Sequence, residues 1–169
     1  MTRTKLVLLF AGVVATGCGS SSDTVWSSSV TKFVLSKSGG FGAPSQPTAD
    51  CPQAGSEYTL LVANRMLSAG RCTPSAQAPY PLMKDSTSRA LTQPEFDGLV
   101  PQLEALKVVH VDTCGADKPE VNVTLTTPSG TTEYADSFYS CDDNDPRPTL
   151  DTDALDQVAQ ALGQLSFMN

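Results

Sequence analysis

Five cysteines and one histidine limit the chemistry open to this 169-residue chain. A serine nucleophile needs a basic partner. The single histidine, His110, alternates with apolar residues in Val108-Val-His-Val111, the pattern of a strand rather than of a catalytic loop. One histidine is too few for zinc-protease or oxygenase sites, which use two or three. The chain carries no Gly-x-Ser-x-Gly elbow, no phosphate-cradling glycine loop and no dinucleotide fingerprint. Carboxylates are plentiful, and Asp142-Asp-Asn-Asp145, with Asp151, Asp153 and Asp156 beyond, offers the hard oxygens that suit calcium. That stretch lacks the glycine of an EF-hand loop and is interrupted by Pro146 and Pro148. A solvated acidic loop followed by helix-dipole aspartates accounts for the same residues. No catalytic residue, metal ligand or cofactor is assigned, and the sequence points away from an enzyme.

The fifth cysteine has a different use. Arg3 and Lys5 precede an apolar run from Leu6 to Ala15, too short for the ~20 residues that span a bilayer. The run ends in Ala15-Thr16-Gly17-Cys18, which reads as a lipobox, with small residues before the cut and a thiol to carry the lipid. Residues 1–17 are therefore expected to be a lipoprotein signal peptide, Cys18 the lipidated residue, and 18–29 a Ser-rich tether. Trp26 is the tether's one large apolar group, free to pack on the domain or to sit at the lipid interface. Gly19 stands where an aspartate would favour inner-membrane retention, so the expected address is the bacterial cell envelope, at the outer membrane of a diderm. Removing Arg3 and Lys5 leaves 11 − 2 = 9 basic against 18 acidic side chains, a balance of 9 − 18 = −9. That surface argues against a nucleic-acid partner, which needs basic groups to displace counterions. The membrane, reached through the lipid on Cys18, is the first expected partner.

Four cysteines remain: Cys51, Cys72, Cys114 and Cys141. An even number in an exported chain points to two disulfides. Zinc is disfavoured because no pair has the close spacing of a ribbon or knuckle. Three pairings are open. Cys51–Cys72 and Cys114–Cys141 are favoured, since each pair brackets a strand-and-turn unit.

The elements that must hold these residues follow from periodicity. Val30 to Lys37 alternates as a strand, and Glu57–Val62 with Met66–Cys72 forms a hairpin with Tyr58, Leu60 and Val62 on one face. Residues 73–90, rich in Pro, Ser and Thr, read as a long surface loop. Thr92-Gln-Pro-Glu95 is a capping box; Phe96, Leu99, Val100, Leu103 and Leu106 follow at helical spacing, with Pro101 expected to kink the helix. Lys107 to Asp112 begins an extended segment. Val121, Val123 and Leu125 alternate into a turn at Pro128-Ser-Gly130, and Thr132–Tyr139 returns. Asp151 and Asp153 open a second helix whose buried face is Leu155, Val158, Leu162 and Leu165. Hairpins without βαβ units define an α+β domain over 30–169: one antiparallel sheet with two helices on one face, stapled by two disulfides.

The most distinctive segment is Ser38-Gly39-Gly40-Phe41-Gly42, directly after the first strand. Glycines there permit positive φ and close approach of another backbone, and Phe41 is either an exposed aromatic contact or tucked into the core by a tight turn. Lys37-Ser-Gly-Gly-Phe41, followed by strand, helix, strand, strand and helix, resembles the emfourin-like proteins, small bacterial inhibitors of thermolysin-like metallopeptidases. The chain departs from that pattern in having Gly42-Ala43 where the family tends to reverse the two, in its four added cysteines and in its longer loops. Thr113-Cys-Gly-Ala-Asp-Lys-Pro119 and Asp136-Ser-Phe-Tyr-Ser-Cys141 are instead similar to secreted lipoproteins of soil bacteria. The resemblance implies an inhibitor that blocks a secreted peptidase through Ser38, Gly39, Gly40 and Phe41; with the lipobox it gives a surface-anchored binding module, in which a disulfide-stapled domain would present Pro79–Lys84 as a second loop. The alternative is a non-enzymatic structural or assembly component that binds another envelope protein by a sheet edge or its acidic face.

Overall fold

The computed structural model describes residues 24–39, 45–110, 115, 118–139 and 146–167. The described elements are β1 (Lys32–Ser38), β2 (Gly55–Leu61), β3 (Met66–Pro74), β4 (Leu82–Ala90), α1 (Gln93–Glu104), β5 (Val108–Val109), β6 (Glu120–Thr127), β7 (Gly130–Asp136), β8 (Thr149–Leu150) and α2 (Thr152–Phe167). They form an α+β fold with one eight-stranded sheet, in the order β4-β3-β2-β1-β6-β7-β8-β5. The sheet is mixed, which corrects the expectation of a purely antiparallel one: β8 runs parallel to β7, pairing Ala135 with Thr149 and Asp136 with Leu150. A two-residue strand reached after a long excursion is free to enter in either direction, whereas a tight hairpin forces antiparallel pairing.

Strand alternation decides the layers. Phe33, Leu35, Tyr58, Leu60, Leu67, Val121, Val123 and Leu125 all point to one face and join a single core with Leu99 and Leu103 of α1 and Leu155, Val158 and Leu162 of α2. Both helices therefore pack on that face. The other face carries Thr59, Ser68 and Ser88, whose register places them side by side across β2, β3 and β4.

Thr92 caps α1 as its spacing predicts. Its hydroxyl accepts from the Glu95 amide while the Glu95 carboxylate accepts from the Thr92 amide. The helix nonetheless runs through Pro101 without ending. Asp151 opens α2, its carboxylate accepting from the Ala154 amide at 2.9 Å.

Two further expectations change. Residues 82–90, expected as loop, form strand β4, in which Leu82 is the one buried residue; an edge strand exposed along most of its length has no apolar alternation to betray it. Trp26, expected in the tether, is buried edge-to-face against Phe33 with ring centroids 6.2 Å apart. The Val25 amide donates to the Leu106 carbonyl at 3.2 Å, so this part of the tether is docked onto the domain. Of the four cysteines, Cys51 and Cys72 form the expected disulfide, with Cα atoms 5.6 Å apart. Cys114 and Cys141 lie outside the described residues, so one disulfide, rather than the two expected, stands in the described structure.

Candidate functional site

The Ser38 end of the sheet brings together more polar and cationic groups than any sequence window shows. Register sets Lys37 of β1 opposite Ser56 of β2, Ser56 opposite Arg71 of β3, and Arg71 opposite Asp85 of β4. These four residues form one cross-strand row on the helix-packed face, one step beyond the core row of Leu35, Tyr58 and Ala69. Helix α2 crosses above it. Asp156 accepts from Lys37 Nζ at 3.2 Å and pairs with Lys118 Nζ at 2.6 Å. At the other end of α2, the Phe167 ring centroid lies 4.1 Å from Arg71 Cζ. Arg71 also donates through Nε and Nη2 to one oxygen of Asp85, at 3.1 and 2.7 Å.

Burial pushes the Asp156 carboxyl up, but hydrogen bonds from Lys118 and Lys37 outweigh it and hold the group below its ordinary value. Two ammonium groups, those of Lys37 and Lys118, thus reach this one carboxylate.

The corner is fixed covalently and by packing. The Cys51–Cys72 disulfide ties the end of β3 to the loop before β2. Gly55 belongs there because a Cβ would stand 2.3 Å from the Lys37 carbonyl oxygen. Gly39 takes φ +78°, with open space where its Cβ would be, a conformation that glycine adopts without steric cost. Two clefts flank the corner. One, of about 470 Å³, opens on the helix-free side beside Ser36, Ser38, Asp50 and Lys84. The other, of about 440 Å³, runs between the Lys37–Ser56–Arg71 row and α2.

Ser38 and Gly39, two of the four partner-binding residues expected from the sequence, stand at this corner, with Ser38 half-buried and Gly39 exposed. Gly40 and Phe41 lie outside the described residues, as do Cys18 and Asp142–Asp145. The second expected loop, Pro79–Lys84, includes a cis Ala78–Pro79 bond, Tyr80 at φ +58°, and an exposed Met83. Its start is covered by a parallel bridge from Gln46 to Pro81. His110 is exposed just after β5. Among the described residues no three of His, Cys, Asp or Glu gather in a metal-binding group.

Sequence reading missed the Lys37–Ser56–Arg71 row, the shared Asp156 and the role of Gly163. A Cβ on Gly163 would stand 3.1 Å from the Tyr58 hydroxyl, so this glycine makes room for the tyrosine head at the cleft floor. Only the strand register could have signalled the row, by matching Tyr58 with Leu35 and counting outward.

No protein family, curated protein or solved structure matches the chain.

Proposed function

We propose that this protein is a lipid-anchored binding module of the bacterial envelope, tethered through Cys18, that blocks a secreted thermolysin-like metallopeptidase with the segment leaving β1 at Ser38. It performs no chemistry of its own. The observation that carries this reading is the corner itself: Ser38 and Gly39 leave the sheet between two clefts, beside a disulfide that pins the neighbouring strands. A contact segment held in place before binding loses less conformational entropy on association. Phe41, two residues beyond Gly39, supplies the aromatic anchor such a contact uses. A second disulfide, Cys114–Cys141, completes the framework expected of an exported domain.

The test is a titration of the oxidised domain from Ser20 onward, which retains the whole core from Trp26 to Leu162, against a thermolysin-like and a subtilisin-like peptidase. Stoichiometric inhibition of the metallopeptidase alone, lost in Phe41→Ala, is the expected result. Inhibition of neither enzyme removes the reading.

Strand β4 favours a second reading, assembly with another envelope protein. It is an edge strand of nine residues whose outer side is bridged only near Pro81 among the described residues, and such an edge can accept an extended segment. That role survives Phe41→Ala but suffers when Cys18→Ser removes the anchor.

A further inference from the structure

Residues 24–26 belong to the domain rather than to the tether, and this fixes where the chain leaves it. Thr24 makes an antiparallel bridge with Lys107, and the Val25 amide donates to the Leu106 carbonyl at 3.2 Å. Trp26 is buried with its ring edge-to-face on Phe33. These ties bring Thr24 to the start of β5. That strand is the last of the sheet, at the edge opposite β4.

The length of chain before Thr24 sets its distance from a lipid on Cys18. There are 24 − 18 = 6 residue steps between the two, which span at most ~22 Å when fully extended. An acylated residue sits at the hydrocarbon boundary, beneath a headgroup layer of roughly 6 Å. Thr24 therefore stands no more than about 16 Å outside the headgroups. The eight strands are separated by 8 − 1 = 7 spacings, so β4 lies about 33 Å from β5 along the sheet. The reach left to the anchor is about half that width. Were all of 18–29 free, 30 − 18 = 12 steps would allow ~43 Å, more than the whole sheet, and no edge would be favoured. The docking of Thr24, Val25 and Trp26 makes the difference.

The surface at this root suits a headgroup layer. Lys107 is exposed and Val108 is 40% exposed. A long ammonium side chain reaches lipid phosphates while its stem lies along apolar surface.

We propose that the β5 edge, at Thr24, Lys107 and Val108, is the membrane-facing surface of the domain. The tether that Trp26 shortens holds it there, and the β4 edge is turned outward. The inference rests on the reading of Cys18 as the lipid-bearing residue and is independent of the peptidase.

The experiment uses the full chain, produced and processed in a diderm bacterium and extracted from its envelope. The protein is placed in nanodiscs of phosphatidylethanolamine and phosphatidylglycerol, with a gadolinium chelate on a fraction of the headgroups. The mass of the N-terminal peptide reports the state of Cys18, and paramagnetic relaxation of the amide resonances then ranks residues by distance from the headgroups. Relaxation at Thr24, Lys107 and Val108 is expected to exceed that at Ser86, Thr87 and Ser88 by about tenfold or more, since the effect falls with the sixth power of distance across a sheet of ~33 Å. A Gly-Ser segment as long as 18–29, inserted after Ser21, leaves Trp26 in place and lengthens only the tether. It is expected to lower relaxation at Lys107 and Val108 by about threefold or more. Equal relaxation at the two edges, stronger relaxation at β4, or a gradient that the insertion leaves unchanged would each overturn the tether-set edge while leaving the lipid anchor standing. An unmodified Cys18 would overturn the edge and the anchor together.

Discussion

The two ends of β1 are finished in different ways. At the Lys32 end the strand runs into apolar matter: Trp26 lies edge-to-face on Phe33, Val30 is buried, and the Thr31 amide donates to the Thr126 carbonyl while its carbonyl accepts from the Val62 amide. The neighbouring hairpin turn is pinned by Arg65, which hydrogen-bonds Gln93 of α1 and whose carbonyl accepts from the Leu91 amide. At the Ser38 end no such apolar plug stands among the described residues. A disulfide, ion pairs and glycines hold the strands, and a cleft remains on each face. Apolar burial closes a surface, whereas covalent and polar ties can fix a geometry while leaving it open. In the function proposed above, the closed end serves stability and the open end recognition.

The largest expected effect tests the closed end. Trp26→Ala removes a buried aromatic and is expected to destabilise by roughly 3–5 kcal/mol in urea unfolding, the usual cost of such a truncation. A loss under about 1 kcal/mol would mean that Trp26 rests on the domain without closing it. Replacing both Cys51 and Cys72 with serine opens a loop of sequence separation 21 and is expected to cost roughly 3 kcal/mol on chain-entropy grounds. Hydrogen exchange should then speed up at Lys37–Gly39, Gly55 and Arg71 while the Phe33 amide stays protected. Uniform acceleration would erase the distinction between the ends.

A smaller effect is expected at the α1 cap, beside the closed end. Thr92→Ala should cost ~1 kcal/mol, read as a lower urea midpoint with an unchanged slope. Glu95 in the same cap gives a pH signature. Hydrogen bonds from Arg89, then from the Thr92 amide and hydroxyl, lower its pKa from 4.5 to about 2. A carboxyl with a depressed folded-state value stabilises fully above its unfolded value and loses that contribution as pH falls through the folded one. The Glu95→Gln variant should therefore lose the part of the acid destabilisation that the parent shows between about 4.5 and about 2. Parallel acid curves for the two proteins would show that the cap carries no such linkage.

The difference between the ends also explains what the sequence reveals. Val121, Val123 and Leu125 alternate, and Leu155, Val158 and Leu162 repeat at helical spacing, because each set meets one continuous apolar layer. The hairpin β6–β7, the capping box and α2 are legible for that reason. Strand β4 is not, since Leu82 alone is buried in it and its outward neighbours meet water. Strand β8 is too short to show a period, and its parallel pairing depends on where the chain returns. The candidate site is the least legible. Lys37, Ser56, Arg71, Lys118 and Asp156 are far apart in sequence and meet only through strand register and the path of α2. Gly163 reads as a weak point in a helix until the Tyr58 hydroxyl is found beneath it.

The most direct measurement maps where a partner touches the domain. Amide resonances of the oxidised domain from Ser20 onward would be followed as a thermolysin-like metallopeptidase is added. The open-end account predicts perturbation confined to Lys37–Gly39, Gly55, Arg71 and Cys72, with Trp26, Leu61 and Thr92 unmoved. Perturbation centred on the Lys32 end, or none at saturating enzyme, would contradict it.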